Sequence, residues 1–451
     1  MSEPTTAPRR WASELAAGIT LYLRPRVLIV LLLGFSAGLP LALSGETLRL
    51  WLADSGVDLG TIGLLTLAGL PYTIKFLWAP VVDALDVPWL SARLGRRRAW
   101  LLATQVTLMA AIAFLGTRDA ITAPVSVGLA ALVVAFASAT QDIVIDAYRI
   151  ESLAPHEQAA GMASYVAAYR IGALVSAGGV TALTEWLEVL GIDKMRAWSI
   201  GYAIAALLML VGMVASLLAR PGRGTPTLGA APAALGRVLA TAHGAFADIL
   251  AQRDAFVVLA LVILYKLCDA LAGAMTGPFV LALGYHKATY AAVGNGVGLA
   301  ALLIGGFAGG AVARALSLDG ALWLGALLQM LSNLGFVWLN AQIVSPWALT
   351  VAIVIENFSG AMGTVFFVAY LSRLCHNPLH TATQYALLTA LASTGRTVLS
   401  AGTGYLAALA GWPGFFLLTT LAAVPALIVL AVLQRRGHFA ELADARPASG
   451  A

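Results

Sequence analysis

The sequence predicts an all-α polytopic membrane protein with twelve transmembrane helices in two six-helix halves, and three observations predict it. Of 451 residues, 60% are hydrophobic and 11% are charged, against about 25% charged in soluble domains. A water-soluble enzyme, a disordered chain and a coiled coil are excluded on that ground. The apolar residues run unbroken instead of alternating, which excludes an outer-membrane barrel. Helices remain, because a helix satisfies its own backbone inside lipid. Lys and Arg are also segregated. Five of the 27 (Arg49, Lys75, Arg170, Lys266, Arg396) fall within apolar runs, four (Arg118, Lys194, Arg196, Lys287) fall in one set of loops, and the other eighteen fall on the side of the termini. Basic residues mark the cytoplasmic loops, so both termini are expected in the cytoplasm.

Apolar stretches near the ~20 residues that a bilayer requires fall at 27–52, 59–82, 99–117, 124–146, 158–184 and 197–219. Six more fall at 255–283, 291–313, 320–340, 347–374, 383–410 and 413–434. Residues 1–26 read as a cytoplasmic N-terminal segment. The run after Arg24 and Arg26 is too long for a signal-peptide core, so it is expected to be retained. Residues 220–254, with Pro221, Pro226 and Pro232, read as a cytoplasmic linker between bundles 27–219 and 255–434. Residues 435–451 read as a cytoplasmic tail. Six spans on either side of a linker is the layout of a two-lobed, pseudo-symmetric transporter. An internal echo agrees: Gln158 and Arg170 are followed by Ser176-Ala177-Gly178, and Gln384 and Arg396 by Ser400-Ala401-Gly402.

A charge at the bilayer centre costs about 3 kcal/mol or more, so those kept there face a partner or water. In chain order they are Glu46 and Arg49, Lys75, Asp142 and Asp146, Arg170, Lys266 and Asp269, Glu356 and Arg396. Glu46–Arg49 and Lys266–Asp269, three apart, read equally as local pairs and as functional groups. Asp142 and Asp146 lie one turn apart on one helix face and compete for a proton. A carboxylate that can be charged or neutral is what proton coupling needs, so this pair, with Arg170 as expected counter-ion and Glu356, is assigned to coupling or gating. Lys75, Tyr72, Gln141, Tyr165, Lys266, Asp269, Asn357 and Arg396 are assigned to solute binding. Trp51, Tyr169 and Tyr265 also lie near these charges, as sugar-stacking rings or as interface aromatics.

No Lys follows a Gly, so no Walker A loop exists, and no Ser-His-Asp set or HExxH appears. Enzyme chemistry, a cofactor, a metal and nucleic acid are not expected. Cys268 and Cys375 read as packing residues, as do Gly294–Gly298 and the overlapping GxxxG of Gly305, Gly306, Gly309 and Gly310.

Asp83 followed by Gly95-Arg96-Arg97-Arg98 resembles the cytoplasmic signature of the major facilitator superfamily. Pro80 stands where Gly is common, and Asp83 precedes Gly95 by twelve residues instead of about three. More specific are Gly34-Phe35-Ser36-Ala37-Gly38-Leu39-Pro40, Lys75-Phe76-Leu77-Trp78-Ala79-Pro80, Ser138-Ala139-Thr140-Gln141-Asp142-Ile143-Val144-Ile145-Asp146, Tyr169-Arg170-Ile171-Gly172, Leu264-Tyr265-Lys266-Leu267, Glu356-Asn357 and Ala382-Thr383-Gln384-Tyr385. Together, over about 27–434, they resemble the AmpG-type muropeptide permeases. That resemblance implies the major facilitator fold and a bacterial inner-membrane importer. Its solute is N-acetylglucosaminyl-1,6-anhydro-N-acetylmuramic acid with or without stem peptide, driven by protons, for cell-wall recycling and, in some species, β-lactamase induction. Members differ in their number of C-terminal spans; twelve and a monomer are expected here. Two rivals stay open: a related carrier for another solute, such as an acetyl-CoA-type or drug carrier, and a non-transporting pigment-delivery factor of the same fold.

Overall fold

A computed structural model describes residues 20–57, 65–119, 121–219, 234–375, 377–400 and 402–444. The expected terminal segment up to residue 19, the start of the second span, linker residues 220–233, the tail from 445 and the Arg396 side chain lie outside the described residues. All regular structure among the described residues is helical. Ten stretches are long and apolar enough to cross a membrane: Pro25–Leu52, Arg96–Gly116, Pro124–Ser152, Gln158–Val189, Lys194–Leu218, Ala255–Ala282, Gly296–Ala315, Leu318–Asn340, Pro346–Leu374 and Thr403–Arg435. The second and eleventh expected passes are not among these ten. The second is a chain of short pieces, Thr66–Gly69, Leu70–Ile74, Lys75–Leu77 and Ala79–Ala84, with Pro71 and Pro80 restarting the α-helical ones. The expected eleventh pass takes in the helix Thr381–Ser400 and the start of the helix Thr403–Leu421, which is kinked at Gly411, φ 66° and ψ 168°. Positive φ is open to glycine at little steric cost. Ala407 before this kink and Phe415 after it belong to one apolar cluster.

The two lysines inside the spans coincide with backbone irregularities, whereas Asp142, Asp146 and Glu356 lie within continuous helices. Lys75 opens a 3₁₀ turn, and Lys266 stands at the break between Ala255–Leu264 and Leu267–Ala282. A π turn, Val175–Gly179, follows Arg170 by five positions in the fifth span. Interrupted backbone at membrane depth is tolerated where protein or a wet cavity satisfies it.

Within the first half, the first and fifth spans cross through glycine. A Cβ on Gly34 would stand 3.0 Å from the Tyr165 Cα, and one on Gly38 would stand 2.8 Å from the Tyr169 carbonyl carbon. In the second half, Gly305 and Gly309 meet Phe358 and Met362 of the tenth span. Gly310 instead meets Tyr22 and Ala160 of the first half, so one small-residue stripe serves two contacts. Gly38→Val is expected to destabilise the protein by about 1–3 kcal/mol through overpacking, measured as a lower thermal unfolding midpoint in detergent.

The two halves meet at the end that carries the described termini, called here the terminal face. One apolar cluster there takes Val144 and Tyr148 from the first half and Phe366, Leu374 and Tyr385 from the second. At the opposite end each half has its own core. Trp51, Ile112, Trp198 and Tyr202 belong to the first, and Phe279, Phe336 and Phe416 to the second. The structure is therefore sealed at the terminal face and parted at the other.

Candidate functional site: charges facing a cleft between the halves

The sequence candidates gather on two walls. On the first, Lys75 Nζ lies 3.9 Å from Asp142 Oδ2 and 4.0 Å from Asp146 Oδ2. Both distances exceed a hydrogen bond, so one ammonium is shared loosely between two carboxylates. The Lys75 side chain is 20% exposed, Asp142 11% and Asp146 15%, so the cluster is largely but not fully enclosed. Asp142 Oδ1 and Gln141 Oε1 are buried and have no hydrogen-bond partner among the described residues. Such orphans are expensive in a dry core and suit a site that takes protons or polar solute. Tyr72 lies beside Ser44 and Ser138, and the Tyr165 and Tyr169 rings sit 5.8 Å apart next to the aspartates.

The expected counter-ion is corrected here. Asp146 Oδ1 pairs at 3.9 Å with Arg149 Nη2, a fully buried guanidinium, and Lys75 serves both aspartates. Arg170 is exposed into the cleft and makes no ion pair or hydrogen bond with a described residue. The reason is angular: Arg170 lies on the side of the fifth span that faces the second half, away from the fourth span. Sequence reading placed Arg149 among terminus-side basic residues and missed it. Its signal was the three-residue spacing to Asp146.

On the second wall, Arg170, Asp269, Gly306, Glu356 and Asn357 line a cleft of about 230 Å³. They come from the fifth, seventh, eighth and tenth spans. Lys266 is committed elsewhere: its Nζ pairs with Asp269 Oδ2 at 2.7 Å and donates to Gln329 Oε1 at 2.6 Å and the Gly360 carbonyl at 3.2 Å. Of the two cations on this wall, Arg170 is the one left to meet an anionic solute. Trp51 and Tyr265 are each 2% exposed and pack against Trp198 and Phe367 respectively, so both are core residues.

Known proteins decide the family. The Escherichia coli (strain K12) anhydromuropeptide permease is 37% identical over 427 residues, covering 94% of this chain and 83% of that relative. The Rickettsia felis putative transporter AmpG 4 is 33% identical over 411 residues, covering 91% of this chain and 97% of the relative. This chain belongs to the AmpG-type permease family. A family model described as acetyl-coenzyme A transporter 1 also matches residues 26–187. Among solved structures, the E. coli fucose:proton symporter aligns at TM-score 0.65 and 12% identity over 91% of this chain and 99% of that one. The proton:xylose symporter aligns at TM-score 0.60 and 14% identity, over 92% and 95%. Both likenesses show the major facilitator fold. The AmpG-type chain is thus a multi-pass membrane transporter and not an enzyme.

The signature residues of this AmpG-type chain close the terminal face. Asp83, fully buried, accepts from Arg97 Nη2 at 2.7 Å. It also accepts from the Ala382 and Thr383 backbone N–H at 3.3 and 2.8 Å and from Thr383 Oγ1 at 2.7 Å. A carboxylate of the first half therefore caps the N-terminus of the eleventh span in the second, where exposed N–H groups and the helix dipole favour negative charge. Arg97 is held in turn by Glu151 at 2.6 Å, and Arg96 by Asp86 at 3.2 Å and by the Asp83 carbonyl. The unusual twelve-residue spacing is absorbed by a short helix, Leu90–Leu94, and by Gly95 at φ 80°, which return Arg97 onto Asp83. Arg149 adds a second tie, donating to Ser372 Oγ at 3.1 Å and to Gln158 Oε1 at 3.0 Å. The echoed glutamines thus both end at this face, Gln384 donating to Asp248 Oδ2 at 3.2 Å. Lys75→Gln is expected to cost about 2–4 kcal/mol in stability at neutral pH, because two buried carboxylates lose their shared cation. Thermal unfolding should show that loss shrinking as the medium is acidified and the carboxylates accept protons.

Proposed function

We propose that this chain imports anhydro-muropeptides, N-acetylglucosaminyl-1,6-anhydro-N-acetylmuramic acid with or without stem peptide, across the bacterial inner membrane by proton symport. Both termini lie in the cytoplasm, the protein works as a monomer, and the import serves peptidoglycan recycling and, in hosts that have one, β-lactamase induction. The observation that carries this is the loose Lys75–Asp142–Asp146 cluster in the first half, together with a cleft between the halves into which Arg170, without an ion pair among the described residues, is exposed. A family relative named anhydromuropeptide permease supports the solute. Asp142 and Asp146 take up and release the proton, with Lys75 as the cation they exchange. Arg170 meets the carboxylate of the lactyl group or stem peptide, and Tyr72, Gln141, Tyr165, Asp269, Glu356 and Asn357 present hydrogen-bonding groups to sugar and peptide. Lys266, bound by three acceptors, holds the wall in shape. With the termini in the cytoplasm, the sealed face is cytoplasmic and the cleft opens to the periplasm. This is the loading state of alternating access, in which protonation shifts the balance between two states.

The test is uptake of labelled anhydro-muropeptide into right-side-out vesicles, with and without an uncoupler. Uptake abolished by the uncoupler is expected. Uptake that ignores the uncoupler ends the symport reading, and no uptake at all ends the solute assignment. The match to the acetyl-coenzyme A transporter model gives the competing solute for the same assay: acetyl-coenzyme A should neither compete nor enter.

A further inference from the structure

A second cavity, of about 580 Å³, lies at the terminal face, apart from the cleft and from the signature residues. Its walls include His156 from the first half and Arg314, Ser317, Asp319, Arg373 and Gln434 from the second, so it bridges the seam. The volume falls within the ~300–1,000 Å³ usual for ligand pockets. Its wall carries two guanidiniums, Arg314 and Arg373, and one carboxylate, Asp319, to which the Gln434 amide donates at 2.9 Å. Arg373 is half-buried and makes no ion pair or hydrogen bond with a described residue. Neighbouring acids outside the wall are held by other cations: Glu157 by Arg24 at 2.6 Å, Glu441 by Arg253 and Asp254 by Arg436. The 15-residue helix Leu318–Ser332 also starts here, with Ser317 capping Gly320 N–H at 3.3 Å, and its N-terminus favours negative charge. Three guanidiniums converge on His156. Burial, opposed by Glu157, and the fields of Arg314, Arg24 and Arg373 hold its imidazole below the ordinary histidine value.

We propose that this cavity is a phosphate-binding site, filled by the headgroup of an anionic phospholipid or by a soluble phosphate, whose occupant fastens the two halves at the terminal face. Guanidinium forks match phosphate oxygens, and basic pockets between spans on one membrane face take lipid headgroups. An anion lying between His156 on one half and Arg373 on the other binds only while the seam is shut, so it favours the sealed state.

The test uses the full-length protein in phosphatidylcholine nanodiscs alone, with phosphatidylglycerol added, or with inorganic phosphate in the buffer. Two readouts are followed: the thermal unfolding midpoint, and the rate of maleimide labelling of Cys375, a buried thiol within the shared seam cluster. The expected result is a midpoint raised by several degrees and labelling slowed severalfold by one of the two additions. Protection by phosphatidylglycerol alone assigns the lipid headgroup; protection by phosphate alone assigns the soluble anion. Arg373→Gln and Arg314→Gln should each lose more than half of both effects, and Arg373→Lys, which keeps the charge, should retain part. Equal midpoints and labelling in all three media, or variants that respond as the wild type does, overturn the proposal.

Discussion

Asp142→Asn is expected to abolish uphill accumulation of anhydro-muropeptide while leaving exchange across the membrane in place. One pH unit is worth about 1.4 kcal/mol per proton, so one coupled proton sustains a roughly tenfold accumulation for each unit of gradient. Asparagine keeps the size and hydrogen-bonding capacity of the side chain and cannot titrate. The accumulation ratio in energised vesicles should then fall to unity, while counterflow of labelled against unlabelled solute, which needs no net proton movement, continues. Asp146→Asn should act in the same direction and less completely, because Asp146 is also tied to Arg149 at 3.9 Å. Undiminished accumulation in both variants would sink the coupling assignment. Loss of counterflow together with accumulation would instead place the aspartates in solute binding.

Asp83→Ala should unlatch the terminal face. Three of the hydrogen bonds that Asp83 accepts come from Ala382 and Thr383 in the other half, and hydrogen bonds to a buried charge are worth about 1.5–3 kcal/mol each before compensation. States of a two-state protein differ by only a few kcal/mol, so a net loss of about 3 kcal/mol shifts the balance by roughly a hundredfold. Cys375 reports it. That thiol is 5% exposed within the cluster shared by the two halves. In a Cys268→Ser background, its maleimide labelling should accelerate on the order of a hundredfold in Asp83→Ala, and by less in Asp83→Asn, which keeps an acceptor oxygen. Unchanged labelling would mean that the cap follows closure and does not stabilise it.

Much of this molecule was legible in its residues. Apolar run length gave the passes, because a helix must carry its own hydrogen bonds through lipid. The expected boundary between the spans 383–410 and 413–434 falls at the kink of Gly411. The cost of a charge in hydrocarbon marked Lys75, Asp142, Asp146, Arg170, Asp269 and Glu356; the structure brings the first three together in one cluster and places the other three in the lining of one cleft. What the residues could not supply was pairing. The periodicity of the fourth span says that Asp142 and Asp146 share a face; it does not say that the broken second span lays Lys75 against them, or that Arg149, near a helix end, is fully buried. Lys266 and Arg170 look alike in sequence, yet one is bound by three acceptors and the other by none among the described residues. Composition and local periodicity are properties of a single helix and its solvent, and they determined the membrane, the spans and the presence of costly charges. Which cation answers which carboxylate depends on how separate helices are rotated and offset against one another, and only their packing into two halves decided it.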